Sequence, residues 1–119
     1  SEVLGSKTLR TVDLSWNCFT AEMLDHLGEC LGQSKSVQSL DLTACASAAK
    51  ADGSISPMCN FLQHLGHSSL TSLNVSLNRI GFRSALVLED ALETNAQLSN
   101  VIIAHNPLGV LGVRSLLRL

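Results

Sequence analysis

Leucine and other aliphatic residues recur along the chain in a short pattern that appears four times. In each copy an apolar residue is followed by two more, three and five positions later, with small or polar residues between them. An apolar residue at every second position predicts a short strand with one buried face. The copies begin near Leu9, Val37, Leu70 and Leu98, so their spacings are 28, 33 and 28 residues.

Helical periodicity follows the first and third copies. Leu24, Leu27 and Leu31 lie on one face of a helix that we predict over residues 21–31. A similar apolar stripe predicts a second helix over residues 82–92. Strands and helices therefore alternate along the chain, which predicts an α/β fold.

The second copy has an irregular connection. Its stretch 46–56 holds about five residues more than its equivalents and is rich in Ala, Ser and Gly. We interpret it as a loop that protrudes at the strand-to-helix end, either a tolerated insertion or a partner-specific contact. Ser56 followed by Pro57 is typical of a helix start and predicts a third helix that runs to about residue 66.

Each copy reads L-x-x-L-x-L-x-x-N/C-x-L, and this pattern resembles the leucine-rich repeat. A unit of about 28 residues with a strand and a helix is similar to the ribonuclease-inhibitor-like class of these repeats. The resemblance implies one leucine-rich repeat region over residues 1–119. Its fold would be an α/β solenoid, a right-handed β-α superhelix of about four repeats with a parallel concave sheet and convex helices.

One position of the repeat carries Asn17, Asn78 and Asn106, with Cys45 in the second copy. We expect the asparagines to cap backbone groups where the chain turns away from the sheet and to link one coil to the next. A thiol is also a weak hydrogen-bond donor, so we predict a structural role for Cys45. A catalytic cysteine would need a paired base, and the sequence offers none.

Both ends of the chain resemble the interior of a repeat. Residues 1–9 match residues 30–37 and 64–70, where a predicted helix ends and the next strand begins. Solenoids cover their apolar edges with polar capping repeats, and neither end has such a sequence. We therefore expect a piece of a longer solenoid, with its ends covered by further repeats or by neighbouring subunits.

Outward-facing strand residues are expected on the concave surface. In the first three repeats they are small, polar and mildly acidic, whereas the fourth repeat is apolar. Asp13 and Asp41 fall on adjacent strands, so their like charges would suit a basic group of a partner. Trp16 either packs over the edge of the neighbouring coil or anchors a partner. The candidate partner-binding residues are Thr11, Asp13, Ser15, Trp16, Asp41, Thr43, Asn74, Ser76, Ile102 and His105.

Composition excludes several kinds of partner. The chain is 45% hydrophobic and 15% charged, with a net charge of −2 and only 8 Lys and Arg residues. It therefore lacks a clustered basic surface for nucleic acid or an acidic membrane, and its apolar runs are too short to span a bilayer. The apolar content suffices for a core without disulfides. We interpret the four cysteines as free thiols of an intracellular, cytoplasmic protein.

The chemistry-bearing residues form no catalytic or metal-binding motif. The four histidines stand at no motif spacing with a nucleophile or a carboxylate. On a helix, Cys59 and His64 would point roughly 140° apart. His64 and His67 share a face, but two ligands do not make a structural zinc site. We predict no catalytic residue, no metal and no cofactor.

The leading hypothesis is a non-enzymatic protein–protein interaction or scaffold module that binds a protein partner. One alternative is a GTPase-activating leucine-rich repeat domain, for which Arg10 and Arg79 are the candidate loop residues. Another is a structural subunit whose ends stack in a large assembly, for example cytoskeletal or flagellar. Substitution of Trp16 and Asp41 separates these hypotheses, because an association that survives both changes does not use the concave face.

Overall fold

The computed structural model describes residues 10–46, 56–95 and 97–117. Four strands alternate with four α-helices in this part of the chain, which confirms the predicted α/β solenoid. Coils 1 to 4 each consist of a strand and the helix after it. The strands are β1 (Thr11–Asp13), β2 (Ser39–Asp41), β3 (Ser72–Asn74) and β4 (Asn100–Ile102). The helices are α1 (Ala21–Gln33), α2 (Met58–Leu62), α3 (Phe82–Thr94) and α4 (Gly109–Leu117), with a 3₁₀ turn at Leu65–His67.

The four strands form one parallel sheet in the order β1-β2-β3-β4. Equivalent positions of the repeat lie side by side, with Val12 beside Leu40, Leu40 beside Leu73, and Leu73 beside Val101. A slip of one residue would turn the apolar side chains towards solvent. Burial of these side chains therefore fixes the register, and the register aligns the outward-facing residues in columns.

The core lies between the sheet and the helices. Coils 2 and 3, which have a described neighbour on each side, contribute most of its fully buried side chains. In coils 1 and 4, Leu14, Phe19, Val101 and Ile103 pack against the core but remain partly exposed. The largest fully buried side chains are Phe61, Leu24, Leu40, Leu42, Met58, Leu62, Leu65, Leu70, Leu73, Ile80, Leu88 and Val37.

Helices α1 and α3 form where the apolar stripes predict them, each ending two residues later than predicted. Thr20 caps α1, because its side-chain oxygen accepts the backbone N–H of Met23 at 3.2 Å. Helix α4 begins at Gly109, whose φ of 69° lies in the left-handed region that glycine adopts without strain.

The predicted helix over residues 57–66 is shorter in the structure. Helix α2 begins at Met58 and ends at Leu62, and the chain continues through a turn into the 3₁₀ segment. From His64 onward the backbone forms the shorter hydrogen bonds of a 3₁₀ helix, because the N–H of His64 donates to the carbonyl of Phe61 at 3.0 Å and that of Ser68 to the carbonyl of Leu65 at 3.3 Å. The predicted start is close to correct, because Ser56 Oγ accepts the backbone N–H of Met58 at 3.2 Å.

Two sequence interpretations lie outside the described residues. They concern the match of residues 1–9 to a helix end, and residues 47–55 of the irregular connection.

Candidate functional site

The strand register places the outward-facing residues of the four coils in columns across the concave face. The first column contains Thr11, Ser39, Ser72 and Asn100, and the second contains Asp13, Asp41, Asn74 and Ile102. Neighbouring strands of a sheet are about 4.8 Å apart. Each column is therefore a row of closely spaced side chains on a rigid backbone.

The second column also shapes the exit turn, the segment in which each coil leaves its strand. In coil 1, Asp13 Oδ1 accepts the backbone N–H of Ser15 at 2.9 Å and its hydroxyl at 2.6 Å. In coil 2, Asp41 Oδ1 makes the same two bonds with Thr43, at 2.9 and 2.6 Å. The hydroxyl bond and then the backbone bond of Ser15 lower the pKa of Asp13, which favours its ionised form.

A ladder of side-chain amides, the buried Asn78 and the half-buried Asn106, joins the exit turns. Asn78 Oδ1 accepts the backbone N–H groups of Cys45 and Ala46, both at 2.8 Å, and its Nδ2 donates to the carbonyls of Leu42 (2.8 Å) and Ser76 (3.0 Å). Asn106 repeats this arrangement one coil further along, with Asn78 and Ile80 as its N–H donors. The predicted capping and linking role is therefore confirmed for Asn78 and Asn106, whereas the side chain of Asn17 bonds carbonyls of its own coil in the described residues.

Cys45 occupies the asparagine position in coil 2. Its thiol donates to the carbonyl of Leu14 at 3.0 Å, as the sequence predicts. A thiol is a weak hydrogen-bond acceptor. In coil 1 the backbone N–H of Phe19 therefore donates to the carbonyl of Cys45, at 2.7 Å, and not to its side chain. Burial raises the pKa of Cys45, so the thiol stays protonated and remains a donor.

The exit row consists of one residue from each exit turn, and all four have left-handed backbones. These residues are Trp16, Ala44, Leu77 and His105, with φ between 54° and 62°. The left-handed region costs a residue with a Cβ atom roughly 1–2 kcal/mol. Backbone bonds between coils hold it, such as the one from Trp16 N to the carbonyl of Thr43 at 2.8 Å.

The exit row presents the largest apolar side chains beside the concave face. Trp16 is 72% exposed, which argues against the alternative that it packs over the neighbouring coil. Leu77 is 41% exposed, and Ile102 in the second column is 43% exposed. Leu77 is not one of the candidate residues, although the sequence places it at the strand exit with Trp16 and His105. Trp16 on coil 1 is thus separated along the sheet from Leu77 and Ile102 on coils 3 and 4.

The structure separates the candidate residues by accessibility. Ser76 is buried because coils pack on both sides of its turn, so the expectation that it faces a partner is wrong. The half-buried candidates are Ser15, Asp41, Thr43 and Asn74. The exposed candidates are Thr11, Asp13, Trp16, Ile102 and His105.

The two candidate arginines lie at opposite ends of the strands. Arg10 is exposed just before β1. Arg79 follows the exit turn of coil 3, and its guanidinium donates to the carbonyl of Ala46 at 3.2 Å. The fold therefore does not bring them together.

One polar contact on the helix side escaped the sequence analysis. His64 Nε2 lies 2.8 Å from Asp25 Oδ1, which also accepts the side-chain amide of Gln63 at 2.9 Å. The hydrogen bond from His64 is the main cause of a lowered pKa of Asp25. Gly28 makes room for the imidazole, because a Cβ there would lie 2.4 Å from the ring. No motif spacing predicts this pair, which joins residues 39 positions apart.

Other chemistry is sparse. In residues 10–46, 56–95 and 97–117, no three His, Cys, Asp or Glu side chains are placed to hold a metal ion. No disulfide joins the four cysteines, all of which are in the described part of the chain. None of the described helices is both long and apolar enough to cross a bilayer.

Comparison with known proteins agrees with the repeat architecture. Residues 5–22 and 66–83 match the sequence model of a family described as Leucine Rich repeat. The fold is similar to that of the tropomodulin C-terminal domain of Caenorhabditis elegans, with a TM-score of 0.50 over 96% of this chain and 83% of that one. At 15% identity the similarity concerns the fold alone. No curated protein sequence matches the chain.

Proposed function

The chain is a leucine-rich repeat protein, and we propose that it is a non-enzymatic module that binds a protein partner on its concave face. The observation that carries this proposal is the exposure of Trp16 (72%) beside columns of small polar side chains. Tryptophan is among the residues that most often anchor protein interfaces.

The rigidity of the sheet supports the same proposal. Backbone bonds between coils and the side-chain amides of Asn78 and Asn106 fix every exit turn. A preorganised surface loses little conformational entropy when a partner binds, so a few anchors suffice for affinity. Trp16 at one end of the exit row and Leu77 further along it are such anchors.

The absence of enzymatic activity is part of the proposal. Burial raises the pKa of Cys59 as well as that of Cys45, which makes both thiols poor nucleophiles. His64, in turn, is engaged by Asp25 on the helix side and faces neither thiol in the described contacts. Because no disulfide joins the four cysteines, we also place the module in a reducing, intracellular compartment.

Site-specific photo-crosslinking in cells that express the protein tests this function. A benzophenone amino acid replaces Thr11 on the concave face or, as the control, Glu93 on the exposed side of α3. We expect a crosslinked protein from the Thr11 position that is absent from the Glu93 position. Equal capture from both positions, or capture from Glu93 alone, would contradict a concave binding site.

The variant Trp16→Ala gives the proposal a quantitative form. An aromatic hot spot contributes about 2 kcal/mol or more, so the affinity for the captured partner should fall about 30-fold. The side chain is largely exposed, and truncation should leave the unfolding free energy within about 0.5 kcal/mol. Binding unchanged by Trp16→Ala would exclude this residue as the anchor.

A further inference from the structure

The two halves of the concave face differ in chemistry. The acidic half consists of Asp13 on β1 and Asp41 on β2, which are register partners. The apolar half consists of Leu77 and Ile102, on coils 3 and 4, which are 41% and 43% exposed. Asn74 lies between the halves in the second column. A polar, charged surface and an apolar one are thus fixed next to each other on one rigid sheet.

The acidic half retains hydrogen-bonding capacity for a partner. Every bond that the described residues make to these two carboxylates goes to Oδ1, from Ser15 and Thr43. Oδ2 of each carboxylate therefore accepts no hydrogen bond from the described residues. The two columns and the exit row contain no Lys or Arg, so no permanent positive charge in them neutralises the two carboxylates.

We propose that the partner is a protein segment with an arginine that pairs with the acidic half and an aliphatic side chain that contacts the apolar half. This inference rests on the proposed function and names the chemistry of the partner. Guanidinium suits the acidic half because its fork of donors can bridge two carboxylates on neighbouring strands. Trp16 follows Asp13 by three residues and is exposed, and the face of an indole ring attracts a guanidinium within about 6 Å.

The spacing of the halves defines the segment further. From β2 to β4 there are two strand spacings, which is about 10 Å. An extended chain that runs across the strands covers this distance in about three residues. The arginine and the aliphatic residue should therefore stand about three to four positions apart. The order of the two residues fixes the direction in which the segment crosses the sheet.

Trp16 provides the measurement, because it is the only tryptophan in the chain. Its fluorescence is titrated with a synthetic peptide in which arginine and leucine are separated by three serines. Two matched peptides carry citrulline in place of arginine, which removes the charge and keeps the shape, or serine in place of leucine. Because a hydrogen bond to a charged group contributes about 1.5–3 kcal/mol, the citrulline peptide should bind about tenfold more weakly.

Two protein variants assign the contacts, and a third is the control. Asp41→Asn should lower the affinity for the arginine peptide about tenfold and leave the affinity for the citrulline peptide unchanged. The control Asp90→Asn makes the same change of charge on the exposed side of α3 and should lower the affinity for neither peptide. Ile102→Ser should lower the affinity for the peptide that contains arginine and leucine. It should not change the affinity for the matched peptide that has serine in place of leucine.

The outcomes that would overturn the proposal are specific. Equal affinity for the arginine and citrulline peptides excludes a charge contact. An equal loss of affinity for the arginine peptide in Asp41→Asn and Asp90→Asn would mean that the attraction is non-specific. No binding of the arginine peptide at millimolar concentration also overturns it. The proposed function is tested separately by the crosslinker at position 11. If this position captures a partner whose affinity is unchanged by Asp41→Asn, a concave binding site is supported and a basic partner is excluded.

Discussion

Neighbouring coils are joined by different means on the two sides of the solenoid. At the exit turns, Asn78 and Asn106 are side-chain amides whose partners are backbone groups at fixed positions. On the helix side, apolar side chains pack together, and the polar contact between Asp25 and His64 is partly exposed. Apolar packing adapts to altered shapes, whereas a buried backbone group needs a partner at one place. The exit turns should therefore tolerate substitution least.

The largest effect is expected at Asn78. Replacement by alanine leaves two N–H groups and two carbonyls of the exit turns without partners in a buried site. Each buried group without a partner costs about 1–3 kcal/mol of stability, and local relaxation reduces the total cost. We expect Asn78→Ala to lower the free energy of unfolding by about 4 kcal/mol. Urea denaturation measures this loss.

Asn17→Ala is the matched control for that variant. Asn17 is exposed, and its side-chain amide donates to the carbonyls of Leu14 and Ser15 in its own coil. Water can replace these bonds, so the loss should be about 1 kcal/mol. Equal losses in the two variants would show that burial does not determine the strength of the ladder.

The helix side gives an intermediate effect at Gly28. Alanine normally stabilises a helix interior by about 0.5–1 kcal/mol relative to glycine. At this position the added Cβ would lie 2.4 Å from the imidazole of His64, which must move away from Asp25. We expect Gly28→Ala to lose about 1–2 kcal/mol despite its better helix propensity.

Gly32→Ala separates propensity from crowding. Gly32 lies in the same helix, and a Cβ there would meet nothing within 4 Å. This variant should gain up to about 0.5 kcal/mol in the same thermal or urea unfolding assay. A gain in both variants would mean that the imidazole moves without cost.

The smallest effect is expected from the charge of Asp25, and it depends on pH. The folded protein lowers the pKa of this carboxyl below its ordinary value of 3.8, mainly through the hydrogen bond from His64. A depressed folded-state pKa contributes stability above the unfolded pKa, and this contribution is lost as the pH falls through the folded pKa. Wild type should thus be slightly more stable than Asp25→Asn at pH 7, with the difference vanishing at strongly acidic pH.

A series of urea denaturations between pH 7 and about pH 2 measures this difference, with Asp90→Asn as the exposed control. A difference between wild type and Asp25→Asn that persists at the acid end would assign the effect to hydrogen-bond geometry instead of ionisation.

The repeat itself determined most of the architecture. Alternating apolar positions fixed which side of each strand is buried, and the register followed from matching those positions between coils. The asparagine column and the donor role of Cys45 were also readable, because each depends on a single repeat position. Trp16 could be predicted as a candidate partner-binding residue because its outward position also follows from one position of the repeat.

The tertiary structure alone decided features that depend on contacts between coils. The hydrogen bond from the side-chain amide of Asn95 to the carbonyl of Leu65 joins two coils, and the pairing of His64 with Asp25 needs the gap at Gly28. The left-handed backbone of Leu77, which exposes an otherwise typical leucine, is held by hydrogen bonds between coils. A local pattern specifies what faces inward within one coil. It does not specify these contacts, because they join residues about thirty positions apart whose geometry exists only when the coils stack.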